Sequence, residues 1–226
     1  MVKIKNNNKK VAGWYLPITE KHFEKFLIAS SKPNKDGEYQ KEQRLKSFTH
    51  LEHFNTAIDI GACVGFWTKD LCKKFSNVIC FEPSPSNAEC LELNLKDYTN
   101  YKLYKVALSN VTGTKKLLIS EKGIGSNSLS DPNMDQEKFI NVPTKKIDEY
   151  NFRNLSYIKM DVQFHELEVL EGATKTLKKN SPVLCIECAR RNNDELTYVK
   201  KIVSLLQKLD FKIVGGFGKE LFFKKY

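Results

Sequence analysis

The chain has 226 residues, 41% of them hydrophobic and 28% charged, which is enough for one full α/β domain with its own core. No apolar run approaches the ~20 residues of a bilayer-spanning helix, and the basic opening Met1–Lys10 lacks the apolar segment of a secretory signal. The net charge of +10 raises a nucleic-acid partner, but only four of the 37 basic residues are arginine (Arg44, Arg153, Arg190, Arg191). The lysines are dispersed pairs that read as solvated helix ends and edge strands.

Residues 1–55 read as an N-terminal helical and aromatic cap. It contains the cluster Trp14-Tyr15-Leu16-Pro17, helical pattern from His22 to Ala29, a loop over Lys32–Gly37, and helical pattern again over Gln40–Phe54. Residues 56–226 read as the main domain. Thr56–Ile60 predicts a strand, Phe66–Phe75 a helix, Asn77–Phe81 a strand, Ser86–Leu95 a helix with Pro85 near its first turn, and Tyr101–Leu108 a strand. Hairpin-like segments at Leu117–Ile119 and Phe139–Val142 then flank a Gly-rich stretch, Gly123–Ser130, suited to a lid. Alternation resumes with a strand at Ser156–Asp161, a helix at His165–Lys179, a strand at Pro182–Glu187 and a helix at Asp194–Leu209. Phe211–Val214, a turn at Gly215–Gly218 and Glu220–Lys224 close the chain.

Six cysteines sit mostly in apolar strand or helix contexts, where a free thiol acts as a small hydrophobe. Cys185 and Cys188, three apart in a strand-like run, point to opposite faces, a poor arrangement for a redox dithiol or metal clip. A reduced, cytoplasmic chain is the simplest expectation.

The stretch Ala57-Ile58-Asp59-Ile60-Gly61-Ala62-Cys63-Val64-Gly65 brings a strand to a glycine-bearing turn, and Glu82 ends the next strand. Asp59 and Glu82 are 23 positions apart, close to the ~20-residue offset at which an acid reaches a ribose. The spacing is Asp-x-Gly-x-x-x-Gly rather than G-x-G-x-x-G, so a nucleoside with a short polar tail fits better than a dinucleotide. Strands alternating with helices imply a parallel sheet. The last two strands are joined by too few residues for a parallel crossover, so the final one must be antiparallel. A seven-stranded, mostly parallel sheet with an antiparallel last strand is the class I, Rossmann-like fold of S-adenosylmethionine-dependent methyltransferases.

Several blocks in order sharpen this. Asp59-Ile60-Gly61-Ala62-Cys63-Val64-Gly65, Phe81-Glu82-Pro83-Ser84-Pro85, Val106-Ala107-Leu108-Ser109-Asn110, and Lys159-Met160-Asp161-Val162 followed by Glu166-Leu167-Glu168-Val169-Leu170-Glu171-Gly172-Ala173 resemble the FkbM methyltransferases over about Thr56–Glu187. The Gly13–Pro17 lead-in resembles bacteriophage-type members, which would put the chain in a host cytoplasm. Two departures stand out. Cys63 sits where asparagine is common, and Gln163-Phe164 replaces the usual Glu-Gly after Asp161.

The resemblance implies S-adenosylmethionine across the strand tips. Asp59, Gly61, Ala62 and Gly65 would hold its tail, Glu82 and Pro83 the ribose, and Ala107, Leu108 and Ser109 the adenine, with Asp161 beside the methyl group. Candidate bases are Asp161, His165 and Glu166; Lys159 either positions the acceptor or reaches solvent. His165-Glu166 opens like a zinc-protease motif, but Val169 stands where the second histidine belongs. A divalent metal on Asp161 and Glu187 is an alternative with few oxygen ligands, and Glu187 could instead pair with Arg190 or Arg191. Trp14 reads as core packing rather than a cover for the acceptor. The expected reaction is O-methylation of a sugar, glycan or small metabolite. The rivals are a nucleic-acid 2′-O-methyltransferase and a non-catalytic cofactor-fold module.

Overall fold

The computed structural model describes residues 7–30, 39–129, 138–188 and 193–226. The predicted loop Lys32–Gly37, Ser130, and Arg190 and Arg191 lie outside them.

The chain opens with a hairpin of β1 (Asn8–Val11) and β2 (Trp14–Pro17), followed by helices α1 (His22–Ser30) and α2 (Lys41–Phe48). The main sheet then begins with β3 (Thr56–Ile60), α3 (Phe66–Lys74), β4 (Asn77–Phe81), α4 (Pro85–Asn94) and β5 (Tyr101–Tyr104). An excursion of β6 (Ala107–Leu108), β7 (Gly113–Ile119) and β8 (Lys138–Lys145) forms a separate three-stranded sheet in the order β6-β8-β7. The chain returns through β9 (Leu155–Met160), α5 (Glu166–Glu171), α6 (Thr174–Asn180), β10 (Val183–Glu187), α7 (Asn193–Gln207), β11 (Phe211–Phe217) and β12 (Glu220–Lys225).

The main sheet has seven strands in the order β11-β12-β10-β9-β3-β4-β5. The pairs β3–β4, β3–β9, β4–β5 and β9–β10 are parallel, while β12 runs antiparallel to both neighbours. The antiparallel ending argued from the short Gly-rich connection is what forms.

Alternating side chains fill two cores, as strands buried on both faces require. Ile58, Ile60, Ile158, Met160, Leu184 and Ile186 pack with Val169, Leu170, Leu177, Ile202 and Leu206, so α5, α6 and α7 cover one face. Ala57, Val78, Tyr157, Val183 and Cys185 pack with Trp67, Leu71 and Cys72 of α3 and with Phe48 of α2 on the other. Asp59 and Lys159 lie two positions after Ala57 and Tyr157, so their side chains share this second face, and the two residues are register partners.

Four predicted elements are corrected. The single strand Tyr101–Leu108 is two: β5 stays on the main sheet, while Ala107–Leu108 pairs with Thr144–Lys145 of β8. The helix His165–Lys179 breaks at Gly172, where a β-carbon would lie 2.2 Å from the Ser109 carbonyl oxygen. The helical stretch Gln40–Phe54 ends at Phe48, and Gln40 itself is left-handed at φ 51°. The turn at Gly215–Gly218 is also tighter than expected, since β11 runs to Phe217.

Candidate active site

The chain winds outward from β3 to β4 and β5, then restarts on the other side of β3 at β9. Such a switch point leaves a crevice at the carboxyl ends of the strands. A cleft of about 480 Å³ opens there.

The cleft floor is backbone. Gly61 leaves β3 at φ 79°, and a β-carbon on it would lie 2.0 Å from the Asp161 carbonyl oxygen. The N–H groups of Gly61 and Ala62 both donate to the Phe81 carbonyl, at 3.0 and 3.1 Å. Gly65, at φ 92°, starts α3. It packs on Leu91 and Leu95 beneath the cleft rather than lining it.

Glu82 stands just past β4. Its Oε2 accepts the Cys63 N–H at 2.8 Å, and its Oε1 accepts the Ser84 N–H at 2.8 Å and the Asn87 amide at 3.5 Å. Burial pushes this carboxyl up to about 7, against the pull of those donors. The Oδ1 of Asn87 is buried without a partner, and Asn87 lines the cleft. Asp59 accepts the Thr68 hydroxyl at 2.6 Å and is pushed up to about 6 by burial, opposed by that bond. Pro83, Val106, Ala107 and Leu108 give the cleft an apolar stretch, whereas Ser109 lies behind it, fully buried. A fixed acid, an unused amide oxygen, a side-chain-free backbone approach and an apolar slot suit S-adenosylmethionine: hydroxyls at one end, a flat base beside them and a polar tail at the other.

At the opposite end, Asp161 follows β9 and Glu187 ends β10. Gln163 lies between them, donating its amide N–H groups to Asp161 Oδ1 at 2.7 Å and to Glu187 Oε2 at 2.8 Å. Gln163 and Phe164 hold this position with consecutive left-handed backbones, φ 53° and 71°. Burial first, then Asp161, pushes Glu187 up to about 8. Lys159 is 1% exposed, with its Nζ 3.9 Å from Asp161 and 4.0 Å from Glu220. Burial disfavours its charge, but the carboxylates outweigh burial and hold the amine above the ordinary lysine range.

His165 touches the cleft but is 2% exposed, and its Nε2 shares a hydrogen bond of 3.0 Å with the Ser109 hydroxyl. Burial, then Lys115, lowers its pKa to about 4, so the ring is neutral. Glu166 turns away from the main cleft. It accepts the Val162 N–H at 3.0 Å and the Tyr198 hydroxyl at 3.1 Å, and burial pushes it up to about 7. Its place is that of a brace for the Asp161–His165 turn. Among the described residues, no three His, Cys, Asp or Glu side chains converge as metal ligands would.

Two walls rise from segments outside the main sheet. His22, Phe23 and Tyr39 come from the lead-in, and Lys122–Leu129 from the excursion between β7 and β8. Glu20 joins them, accepting the Phe23 N–H at 2.7 Å and the Ile124 N–H at 2.8 Å. Tyr39 packs on Phe66 with the rings tilted and their centroids 5.3 Å apart. Burial, then Asp161, raises its phenol above the ordinary range. Trp14 packs on Phe66 at 4.6 Å and does not line the cleft. Tyr39 and Glu20 were not legible as site residues, because only tertiary packing brings them to the strand tips.

The methyltransferase FkbM domain family matches residues 59–213. The chain belongs to the FkbM methyltransferase family. Among solved structures, it is similar to methyltransferase FkbM from Methylobacillus flagellatus KT, at 20% identity and a TM-score of 0.55, over 79% of this chain and 47% of that one. This FkbM chain therefore spans about half the length of that relative. A Streptococcus mutans protein solved in complex with SAH aligns over 83% of this chain and 98% of its own, with 13% identity and a TM-score of 0.54. Precorrin 8W decarboxylase from Methanobacterium thermoautotrophicum aligns over 88% and 95%, with 12% identity and a TM-score of 0.50. At such identities the likeness shows the shared class I fold. No curated protein matches the sequence. No helix among the described residues is long and apolar enough to cross a membrane.

Proposed function

We propose that this FkbM protein transfers a methyl group from S-adenosylmethionine to a hydroxyl of a sugar, glycan or other small metabolite. The observation that carries this reading is the Asp161–Gln163–Glu187 cluster, set at the cleft end where Gly61 meets Asp161. When bound, the cofactor supplies an electrophilic methyl group. The chain must then orient the acceptor and take its proton.

Glu187, once ionised, is suited to receive that proton, because burial and the neighbouring Asp161 raise its affinity for a proton above that of an ordinary carboxylate. Asp161, held by Gln163 and flanked by Lys159, orients the acceptor hydroxyl. Glu82 and Asn87 would hold the ribose hydroxyls, and Asp59 the ammonium of the tail, directly or through water. The neutral His165 anchors Ser109 and so fixes the strand that carries Ala107 and Leu108. Residues 1–55 act as a cap that supplies one wall of the acceptor chamber, and residues 56–226 form the methyltransferase domain. Cysteines buried in apolar strand and helix surroundings, such as Cys72, Cys80, Cys90 and Cys185, agree with a reducing compartment such as the cytoplasm.

Calorimetry with S-adenosylmethionine and its demethylated product tests the cofactor. Absence of binding that Glu82→Ala weakens would remove the enzyme reading. Tritium-labelled methyl transfer to lysate pools of glycan, RNA, protein and small molecules tests the acceptor, and label confined to RNA would overturn the choice.

A further inference from the structure

A divalent cation shared by Asp161 and Glu187 would have to lie where the two carboxylates converge, within about 2.0–2.6 Å of an oxygen from each. That point is filled by the Nε2 of Gln163, which donates one hydrogen to Asp161 Oδ1 at 2.7 Å and the other to Glu187 Oε2 at 2.8 Å. Both amide hydrogens are used, as the donor inventory of glutamine allows.

The outer oxygens face ammonium groups instead. Lys159 Nζ is 3.9 Å from Asp161 Oδ2, and Lys219 Nζ is 3.5 Å from Glu187 Oε1. Asp161 and Glu187 are thus bridged by one neutral amide, with Lys219 on the outer side of Glu187 and Lys159, which Glu220 shares at 4.0 Å, on the outer side of Asp161. The residue that carries the amide is fixed through its backbone: the Gln163 main-chain carbonyl accepts the Ser128 hydroxyl at 2.5 Å, and the backbone is in the left-handed region.

We infer that Gln163 is a positioning residue that takes the place of a divalent cation, so that the Asp161–Glu187 pair is oriented without metal. A glutamate at this position would have the same length but would supply a third oxygen ligand in place of the donor. Gln163→Glu is therefore expected to open a three-carboxylate site for a hard divalent cation.

The test uses the full-length chain and Mn²⁺ alone, followed by calorimetry and electron paramagnetic resonance. No acceptor or cofactor is needed, so the outcome is separable from that of the methyl-transfer reading. Wild type is expected to show no saturable binding. Gln163→Glu is expected to bind one Mn²⁺ saturably, at least about tenfold more tightly than the weakest binding the wild-type titration would detect, with the bound-ion signal lost in the double variant Gln163→Glu/Glu187→Gln. Gln163→Ala removes the amide without adding charge, and is expected to show a weaker gain that does not depend on the glutamate variant folding. Saturable Mn²⁺ binding by wild type that Glu187→Gln abolishes would overturn the inference, as would the failure of both Gln163 variants to gain binding.

Discussion

Gly61 and Asp161 meet backbone to backbone: a single β-carbon on Gly61 would sit 2.0 Å from the Asp161 carbonyl oxygen. The two residues lie 100 positions apart in sequence, at the tips of adjacent strands, and their contact brings the turn beside Glu82 and the Asp161 and Glu187 carboxylates into one cleft. Gly61→Ala adds that carbon at a φ of 79°. Strand tips forced apart are expected to cost about 2–4 kcal/mol of stability and to abolish cofactor binding. Chemical denaturation and calorimetry check the two effects separately.

Glu82→Ala leaves the Cys63 and Ser84 N–H groups without their carboxylate partner. Product-nucleoside affinity is expected to fall at least about tenfold, since a hydrogen bond to a charged group contributes about 1.5–3 kcal/mol. Titration calorimetry reads this directly, and affinity within a factor of two of wild type would remove Glu82 from the ribose site.

Tyr39→Phe removes only a hydroxyl from the acceptor wall. Affinity for the cofactor product should stay within about twofold, while labelled methyl transfer falls about tenfold, the scale of one lost hydrogen bond. Equal losses in both measurements would place Tyr39 on the cofactor side instead.

Stability is expected to decline from pH 5.5 to 8. Asp59 at about 6, Glu82 and Glu166 at about 7 and Glu187 at about 8 all lie above their unfolded values. Over that interval the native chain retains protons that the unfolded chain has already released, so rising pH favours unfolding. His165, at about 4, pulls the other way: below pH 6.5 the unfolded ring binds a proton that the native ring refuses. Four carboxyls outweigh one imidazole, and above pH 6.5 the imidazole no longer contributes. Scanning calorimetry should show Tm falling by several degrees, on the order of the shift that 1–2 kcal/mol produces, with a shallower slope in Glu166→Gln. A Tm that rises with pH across this range would contradict the buried-carboxyl account.

Glu20→Ala removes the acceptor shared by Phe23 and Ile124. Amide hydrogen exchange at Ile124 and its neighbours is expected to speed up by an order of magnitude or more, with the main-sheet amides unchanged.

The strands β3 and β4 were legible to the residue, because each is a short, mostly apolar run, closed by a glycine turn in one case and a buried acid in the other. The candidate residues Asp59 and Glu82 followed from that register. The helix after Asp161 was not legible as two pieces, since nothing local to Gly172 reveals that the Ser109 carbonyl passes over it. Nor did Tyr101–Leu108 show its break, because both halves are strand-like and differ only in the sheet they join. His165 and Glu166 read as equal candidates for a base by residue type. Their orientations separate them: one bonds Ser109 at the rear of the cleft, the other braces a turn. Tyr39 and Glu20 act across contacts that no periodicity encodes.

The single carboxylate of Glu20 ties the lead-in to the Gly-rich excursion rather than either to the main sheet. The two walls therefore form one hood, riveted at its crown and joined to the base below through Tyr39 on Phe66 and the Ser128 hydroxyl on the Gln163 main-chain carbonyl. A molecule bound inside is gripped between hood and strand tips. Sequence drift in the hood can reshape the acceptor chamber while the cradle beneath, fixed by Gly61 and Glu82, keeps its form.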